Sequence, residues 1–230
     1  MRTPIYSIIV PVLHEADIIN HLIDHIRTID SECTAEIVVI DGDPNGSTIR
    51  AIKDTGVIGA IAANGRARQM NRGSALSSGE ILIFLHADTL LPADALAQIR
   101  KVMLDQCYVA GAFDLGLNTK RCIFRITEMY VFIRTRVTRI PFGDQGIFFR
   151  RDYFEKIGGY KDIPLMEDAE IMMRIKKKGD RICIIPLRVL ASIRRWEKEG
   201  ILYCTIRNWA LQVLYALGMP PERLVKWYKF

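Results

Sequence analysis

The chain has 230 residues, of which 50% are hydrophobic and 25% are charged, and its formal net charge is +6. This length and composition predict one domain with a substantial core, and they exclude long disordered or low-complexity segments. Excess positive charge suits a nucleic acid, an anionic membrane or a phosphate-bearing substrate. The sequence has no helix-turn-helix, zinc-finger or RNA-binding signature, so we expect no nucleic-acid partner.

Strand-like and helix-like segments alternate along the first half of the chain. Apolar, β-branched runs predict buried strands at residues 6–12, 36–40 and 81–85, with a shorter apolar stretch at 57–62. Helical spacing and start signals predict helices at 16–26 and 66–76, and further helices that begin near Ser47 and Pro92. This alternation is typical of a parallel sheet with right-handed crossovers, in which ligands bind beyond the carboxyl ends of the strands.

The second half of the chain has its own set of predicted strands and helices. Its patterns predict strands at 110–117, 146–150 and 182–185, and helices at 130–140, 167–178 and 201–217. No linker separates the two halves and no internal repeat is present, so we expect a single α/β domain over 1–230.

Polar residues follow three of the predicted strands, at 11–15, 41–43 and 86–88. The sequence contains neither GxxxxGK[ST] nor GxGxxG, which excludes the usual glycine-rich phosphate loops. Acidic residues at strand ends instead favour a divalent cation that bridges a carboxylate and a phosphate.

Four segments of the chain carry a family resemblance: SIIVPVLHEADII, VVIDGDPNGST, GRARQMNRGSALSSGEILIFLHADTLLP and GDQGIFFRRDYFEKIGGYKDIPLMEDAEIMMRI. In this order they resemble family 2 glycosyltransferases over roughly residues 6–200, and more narrowly a small bacterial branch with HAD in place of DxD. The resemblance implies a GT-A fold with a mostly parallel central sheet flanked by helices. It also implies a UDP-like nucleotide-sugar donor, Mn²⁺ or Mg²⁺ as cofactor, and inversion at the anomeric carbon. On this basis we divide the domain into a nucleotide-binding half (1–105), an acceptor half (106–200) and an amphipathic helical tail (201–230).

The resemblance assigns a set of residues to the nucleotide. They are Pro11, Val12, Leu13, Glu15, Asp41, Arg66, Asn71, His86 and Ala87. Strand ends leave unpaired backbone groups that can contact a base, and a carboxylate there can accept from a base N–H or a ribose hydroxyl. The alternative for residues 11–15 and 41–47 is an ordinary turn, with Ser47 as a helix cap.

The HAD segment supplies the predicted metal site. Asp88 follows a buried strand and is the expected metal ligand. His86 replaces the first acid of the family motif, and it either binds the metal, where imidazole suits Mn²⁺ better than Mg²⁺, or hydrogen-bonds the ligand.

The acid pair Glu167-Asp168 opens a predicted helix. The resemblance makes Asp168 the catalytic base, which removes the proton of the acceptor hydroxyl, and Glu167 an acceptor-binding residue. The alternative is that both acids only complement the helix dipole.

Acceptor contacts are expected from two further segments. Asp144 and Gln145 precede a strand and suit either sugar hydroxyls or turn chemistry. Arg195 and Trp196 are similar to the end of the QxxRW motif of processive synthases, and would contact diphosphate and stack on a sugar. Because Ser192 stands where that motif has Gln, we expect a non-processive enzyme.

Residues 130–140 and 209–230 combine aromatic, aliphatic and basic side chains. The first interpretation is packing on the core or on a second subunit, which would make a homodimer through the C-terminal helices. The second is contact with a membrane surface, which would suit a lipid-linked hydroxyl acceptor. Five scattered cysteines without CxxC spacing, and no convincing signal peptide or spanning segment, predict a cytoplasmic protein, with peripheral contact at the inner membrane face as the alternative.

Two other function classes remain open at this point. A nucleotidyltransferase, which makes nucleotide sugars, uses a similar sheet and metal, but its loop after the first strand is glycine-rich and basic, whereas this chain has PVLHEAD. A non-catalytic nucleotide-sugar binding protein would explain His86, but the metal and base candidates are both present.

Overall fold

A continuous eight-stranded sheet runs through residues 4–228, the part of the chain that this computed structural model describes. The ends of the predicted 1–230 domain, residues 1–3 and 229–230, lie outside the described residues. The strands are β1 (Tyr6–Val12), β2 (Ala35–Asp41), β3 (Ile58–Ile61), β4 (Ile81–Phe84), β5 (Thr89–Leu90), β6 (Tyr108–Leu117), β7 (Ile147–Arg150) and β8 (Arg181–Ala191). The main helices are α1 (Ile19–Ile29), α2 (Ser47–Ala51), α3 (Arg66–Leu76), α4 (Ala95–Leu104), α5 (Ile123–Thr138), α6 (Arg151–Lys156), α7 (Glu167–Lys178), α8 (Arg194–Glu199), α9 (Ile201–Ala216) and α10 (Pro221–Leu224).

The sheet is mixed, with the order β3-β2-β1-β4-β7-β6-β8-β5. Its first four strands are parallel to one another. β7 runs antiparallel to both β4 and β6, β8 is parallel to β6, and β5 is antiparallel to β8. The predicted α/β class with helices around a central sheet is therefore confirmed, and each antiparallel pair includes β7 or β8, which belong to the second half of the chain.

Alternating residues of the buried strands feed two separate core layers, as strand geometry requires. Ile8 and Val10 of β1 pack in the layer that α1 and α4 cover, whereas Ile9 packs in the layer that α3 and α7 cover. This arrangement explains why β1 is apolar at nearly every position: both of its faces are buried.

Helix α3 lies unusually close to the sheet. A Cβ at Gly73 would be 2.4 Å from Cγ2 of Ile9, so only glycine permits this approach. One turn earlier, Nε2 of Gln69 donates to the carbonyl oxygens of Val12 (2.7 Å) and Ile40 (2.8 Å). Gln69 thereby holds together the carboxyl ends of β1 and β2, where the predicted ligand site begins.

The predicted boundaries agree with the structure where the apolar pattern is clear, as in β1, α3 and α7. Helix α5 begins at Ile123 rather than at 130, because its buried side includes the polar Thr127 and Glu128 and so does not show the usual amphipathic pattern. Strand β8 continues to Ala191, beyond the predicted end at 185.

The C-terminal helices pack against the segment that leads into α7. Leu211 of α9 and Leu224 of α10 form a small apolar cluster with Leu165, Met166 and Ala169. Within residues 4–228 no helix combines the length and apolar character needed to cross a membrane.

Candidate functional site

Titratable side chains from five separate segments lie close together beyond the carboxyl end of β4. The segments are the turn after β4, the loop before β7, and the first residues of α3, α7 and α8. They bring together His86, Asp88, Asp144, Glu167 and Asp168 as well as the guanidinium groups of Arg66, Arg194 and Arg195.

Gly143 joins two of these segments. Its N–H donates a hydrogen bond of 2.9 Å to Oδ2 of Asp168. A Cβ at this position would lie 2.6 Å from that same oxygen and 2.7 Å from Nε2 of His86. The Asp168 oxygen and the His86 nitrogen are therefore separated by no more than the sum of these two distances. The predicted base and the first residue of the HAD segment therefore face each other across a glycine that no larger residue can replace without displacement.

The acid pair at the start of α7 is buried. Glu167 and Asp168 are only 3% and 6% exposed, and the preceding Met166 adopts a left-handed backbone conformation (φ 67°). Such a conformation is unfavourable for a non-glycine residue and is often found at functional sites. Burial, reinforced by the charge of Glu167, raises the pKa of Asp168 to about 8, against the lowering effects of Arg66 and the Gly143 amide.

Arg66 is the cation nearest the acid pair. Its Nη1 lies 3.9 Å from Oε1 of Glu167, an oxygen that is buried without a hydrogen-bond partner among the described residues. The Arg66 charge lowers the pKa values of Asp168 and Arg195. Burial is the main cause that lowers the pKa of His86 to about 3, and Arg66 and Arg195 lower it further, so the imidazole is neutral at physiological pH.

Arg194 links two predicted ligand-binding acids. Its Nη2 donates to both carboxylate oxygens of Glu15 (3.2 and 3.0 Å) and lies 3.5 Å from Oδ2 of Asp88. The backbone of Asp88 is tied to the end of β8, since Ser192 N–H donates to its carbonyl oxygen at 3.0 Å. The metal-ligand candidate is therefore held in place by its main chain while its side chain stays partly exposed.

The donor set around Asp88 fits a divalent cation that also binds a diphosphate. Oδ1 of Asp144 is buried with no hydrogen-bond partner within 4–228, and burial together with the nearby charge of Asp88 raises the pKa of Asp144. Residues 4–228 contain no group of three or more His, Cys, Asp or Glu side chains that could enclose a metal. A hard cation at Asp88 would thus complete its shell with ligand oxygens and water, which is how Mg²⁺ commonly binds phosphates.

The predicted role of Asp41 requires a correction, because its carboxylate is fully buried and accepts hydrogen bonds from backbone N–H groups. Oδ1 accepts from the N–H of Asp43 (2.9 Å), and Oδ2 accepts from those of Thr48 (2.8 Å) and Ile49 (3.4 Å). The predicted contact with the nucleoside is not supported, since these bonds hold the turn and the start of α2.

Asn71 and Gln145 are also structural in this geometry. The Asn71 amide exchanges two hydrogen bonds with the backbone of Tyr160, at 2.7 and 3.0 Å. Gln145 is fully buried, donates to the carbonyl of Phe113 and accepts from Arg134. Both amides thus have partners within the chain, which for Gln145 agrees with the structural alternative, and ligand contacts by either residue stay predictions.

Trp196 and Val12 also have partners within the chain. The indole of Trp196 packs edge-on against Phe124 and donates to Oγ1 of Thr205, so contacts within the chain fix its position, and stacking on a sugar stays a prediction. The carbonyl of Val12 already accepts two hydrogen bonds, from Gly42 and Gln69.

The remaining predicted nucleotide contacts differ in exposure. The side chain of Ala87 packs in the core, while Pro11 is half-buried and Leu13 and Glu15 are accessible at the cleft edge. Arg195 lies close enough to Arg66 and His86 to influence the pKa of His86, and its contact with diphosphate stays a prediction.

Two residues at the site were missed from the sequence. The motif resemblance predicts a diphosphate contact for Arg195 and assigns no role to Arg194. Two adjacent arginines at a helix start are nevertheless a visible signal for a phosphate-binding site. Tyr160 has a buried hydroxyl with no hydrogen-bond partner in the described part of the chain, and the charges of Asp168 and Glu167 add to burial in raising its pKa. The only hint of Tyr160 in the sequence is its position after a Gly-Gly turn, shortly before the acid pair.

The family model "Glycosyl transferase family 2" matches residues 7–158, which is more than half of the chain. A search of curated proteins found no match.

Three solved structures, of two proteins, are similar to this chain. One is the mannosyltransferase PcManGT from Pyrobaculum calidifontis in complex with GDP-Man and Mn²⁺, with a TM-score of 0.71 and 21% sequence identity. The match covers 96% of this chain and 67% of the PcManGT chain. Residues 1–349 of TarS from S. aureus give a TM-score of 0.63 at 14% identity, covering 91% of this chain and 65% of that fragment. A TarS structure in complex with UDP-GlcNAc also matches, at 13% identity and a TM-score of 0.63, with 81% of this chain and 58% of that one covered. The chain thus spans about two thirds of the length of the first two structures.

Proposed function

We propose a specific reaction for this chain, which belongs to glycosyltransferase family 2 and is a glycosyltransferase with a GT-A fold. In this reaction the protein transfers one sugar from a nucleoside diphosphate to a hydroxyl acceptor. The transfer is metal-assisted, non-processive and inverting. The observation that carries this proposal is that Asp168, His86 and Arg66, which are distant in sequence, lie close enough to interact, and that Asp88 interacts with Asp144, the neighbour of the Gly143 that bonds Asp168.

The donor diphosphate is bound on the side of the cleft where guanidinium groups collect. Arg66, Arg194 and Arg195 present charged N–H donors, which form strong hydrogen bonds to phosphate oxygens. A divalent cation held by Asp88 would supply Lewis-acid stabilisation of the charge on the leaving diphosphate. PcManGT was solved with Mn²⁺ and GDP-Man, which supports a cation and a nucleotide-sugar donor.

Asp168 is the general base. As the acceptor hydroxyl oxygen forms its bond to the anomeric carbon, the proton moves to Asp168 and the electron pair of the broken C–O bond leaves with the nucleoside diphosphate. The raised pKa makes this carboxylate a stronger base than an exposed aspartate. A single displacement from the face opposite the leaving group inverts the anomeric configuration.

Other groups position the base. The N–H of Gly143 fixes the orientation of the Asp168 carboxylate, which is the geometric requirement for proton transfer. Glu167 lies beside the base and can accept hydrogen bonds from acceptor hydroxyls through its unpartnered oxygen.

The test is product analysis with purified protein, Mn²⁺ and a panel of UDP- and GDP-sugars with simple alcohol acceptors. We expect release of the nucleoside diphosphate together with a glycoside of inverted configuration. Inorganic pyrophosphate formed from a nucleoside triphosphate and a sugar phosphate would instead show a nucleotidyltransferase. Donor binding without turnover on any acceptor would show a non-catalytic binding protein.

A further inference from the structure

Helix α5 turns an apolar face away from the protein. Side chains that are each more than half exposed recur on one side of the helix, at Ile126, Met129, Ile133 and Val137. The opposite, buried side is formed by Phe124, Thr127, Glu128, Val131 and Thr135. A helix that only covers the core has the reverse arrangement, so packing within this chain does not account for the outer face of α5.

Helix α9 has the same property. Its exposed side carries Leu202, Ile206, Val213 and Leu217, again each more than half exposed, whereas Cys204, Arg207 and Leu211 are buried. These positions follow helical spacing and form a continuous apolar stripe.

The two helices contact each other through Tyr130 and Arg134 of α5 and Trp209 and Gln212 of α9, which lie between stripe residues in sequence. The rings of Tyr130 and Trp209 stack with centroids 4.4 Å apart, and Arg134 donates to Gln212 at 3.0 Å. We call the combined surface of the exposed α5 and α9 side chains the α5–α9 face. Contiguous exposed apolar surface of this kind is typical of an interaction site.

Charge around the α5–α9 face is predominantly positive. Within α5 and α9 the one acidic residue is Glu128, which is buried and paired with Arg125. The chain segments at the ends of the two helices (118–122, 139–142, 197–200 and 217–228) expose two acids, Glu197 and Glu222, against six basic residues, namely Lys120, Arg121, Arg139, Lys198, Arg223 and Lys226. Trp227, more than half exposed, lies among them in sequence, and Trp is enriched at membrane interfaces.

We propose that the α5–α9 face docks on the surface of an anionic lipid bilayer, with the apolar stripes in the headgroup region and the basic residues on lipid phosphates. The charge distribution favours a bilayer over a second copy of this chain, because two copies would bring like-charged rims together. An anionic surface neutralises the same charges.

Docking in this way would bring the cleft to the membrane. Arg134 of α5 hydrogen-bonds Gln145 in the loop that also carries Asp144, so the docking helix and the site share a structural element. If the proposed transferase activity holds, a lipid-anchored hydroxyl is then the natural acceptor class. This last step rests on the proposed function, whereas membrane docking itself does not.

The test is flotation of the purified protein with vesicles of phosphatidylcholine alone or of an equimolar mixture with phosphatidylglycerol, without donor or acceptor. We expect binding to the mixed vesicles that weakens with added salt. The double variant Ile126→Glu/Ile206→Glu should lose about tenfold or more in binding, because two apolar side chains would be replaced by charges that the lipid repels.

Leu104→Glu is the matched control, since Leu104 is equally exposed but lies at the end of α4. Its binding and melting temperature should equal those of the wild type. A second variant, Lys120→Glu/Arg121→Glu, tests the electrostatic part and should weaken binding to the mixed vesicles only.

Three results would overturn the proposal: no binding by the wild type, binding that the Ile126/Ile206 variant retains, or a stable dimer by light scattering that this variant converts to a monomer. Because neither donor nor acceptor is present, failure here would leave the transferase proposal standing, and an inactive transferase would leave this result standing.

Discussion

The N–H of Gly143 donates a 2.9 Å hydrogen bond to Oδ2 of Asp168, across 25 residues of chain. The bond occupies one lone pair of Oδ2, so in the proposed reaction Oδ1 is the oxygen that is free of the loop and accepts the proton. It also stabilises the charged form of a carboxylate that burial and Glu167 otherwise drive towards the neutral form. The base is thus oriented by one loop and made more basic by its burial.

Asp168→Asn tests the base directly. The amide keeps an oxygen that can accept from Gly143 but cannot take a proton, so kcat should fall by about 10²- to 10⁴-fold, the usual contribution of general base catalysis. The measurement is nucleoside-diphosphate release at saturating donor, with circular dichroism to confirm folding. Asp162→Asn is the control, because Asp162 is an exposed partner of Arg68 and should leave the rate unchanged. Wild-type activity in Asp168→Asn would rule out this base.

Activity should rise with pH through the pKa of Asp168. The group must be deprotonated to act, and its pKa in the ligand-free protein is raised to about 8. Below that pH most molecules hold a neutral acid, so kcat/KM, which reports the free enzyme, should fall about tenfold per pH unit on the acidic side. A kcat/KM profile that is flat from pH 6 to about pH 9 would contradict the assignment.

Asp88→Asn should remove the dependence on metal. In the wild type, Mn²⁺ and a nucleoside diphosphate together, each well above its dissociation constant, should raise the melting temperature by on the order of 5 °C. The variant should lose this joint shift and the transfer activity, because its amide is a poor ligand for a hard cation. Retention of the full Mn²⁺-dependent shift would place the cation elsewhere.

Arg66 and Arg68 offer a matched pair of substitutions on one helix. Arg66→Ala should weaken nucleoside-diphosphate binding by about 10- to 100-fold, as expected for a lost charged hydrogen bond. Arg68→Ala removes only an exposed ion pair with Asp162 and should leave binding unchanged. Removing Arg66 should also raise the pKa of Asp168, because the Arg66 charge lowers it. The acidic limb of the kcat/KM profile should therefore move to higher pH. Equal binding by both variants in calorimetry would exclude Arg66 from the diphosphate site.

Asp41→Asn separates stability from binding. Its carboxylate accepts from three backbone N–H groups, and an amide in its place cannot accept from all of them. The free energy of unfolding should fall by about 1–3 kcal/mol in urea titrations. Nucleoside-diphosphate affinity, measured below the unfolding transition, should remain that of the wild type. A large loss of affinity with unchanged stability would restore Asp41 to the ligand site.

Local pattern was sufficient to predict the limits of the elements whose apolar spacing is clear. It was also sufficient to predict the positions of the acids that begin or follow these elements. Apolar runs such as β1 and the helical spacing of α3 and α7 are properties of consecutive residues, so their limits could be predicted closely. The positions of Asp88 after a strand and Asp168 in the first turn of a helix were visible for the same reason. The family motifs then indicated that the two acids act together.

Only the tertiary structure decided which polar side chains face the cleft. Buried backbone groups need hydrogen-bond partners, and these come from segments far away in sequence: Gln69 serves Val12, and Asn71 serves Tyr160. A side chain used in this way is indistinguishable in sequence from one that binds a ligand. The outward apolar face of α5 was likewise hidden, because its polar inner residues became evident only once their burial was known.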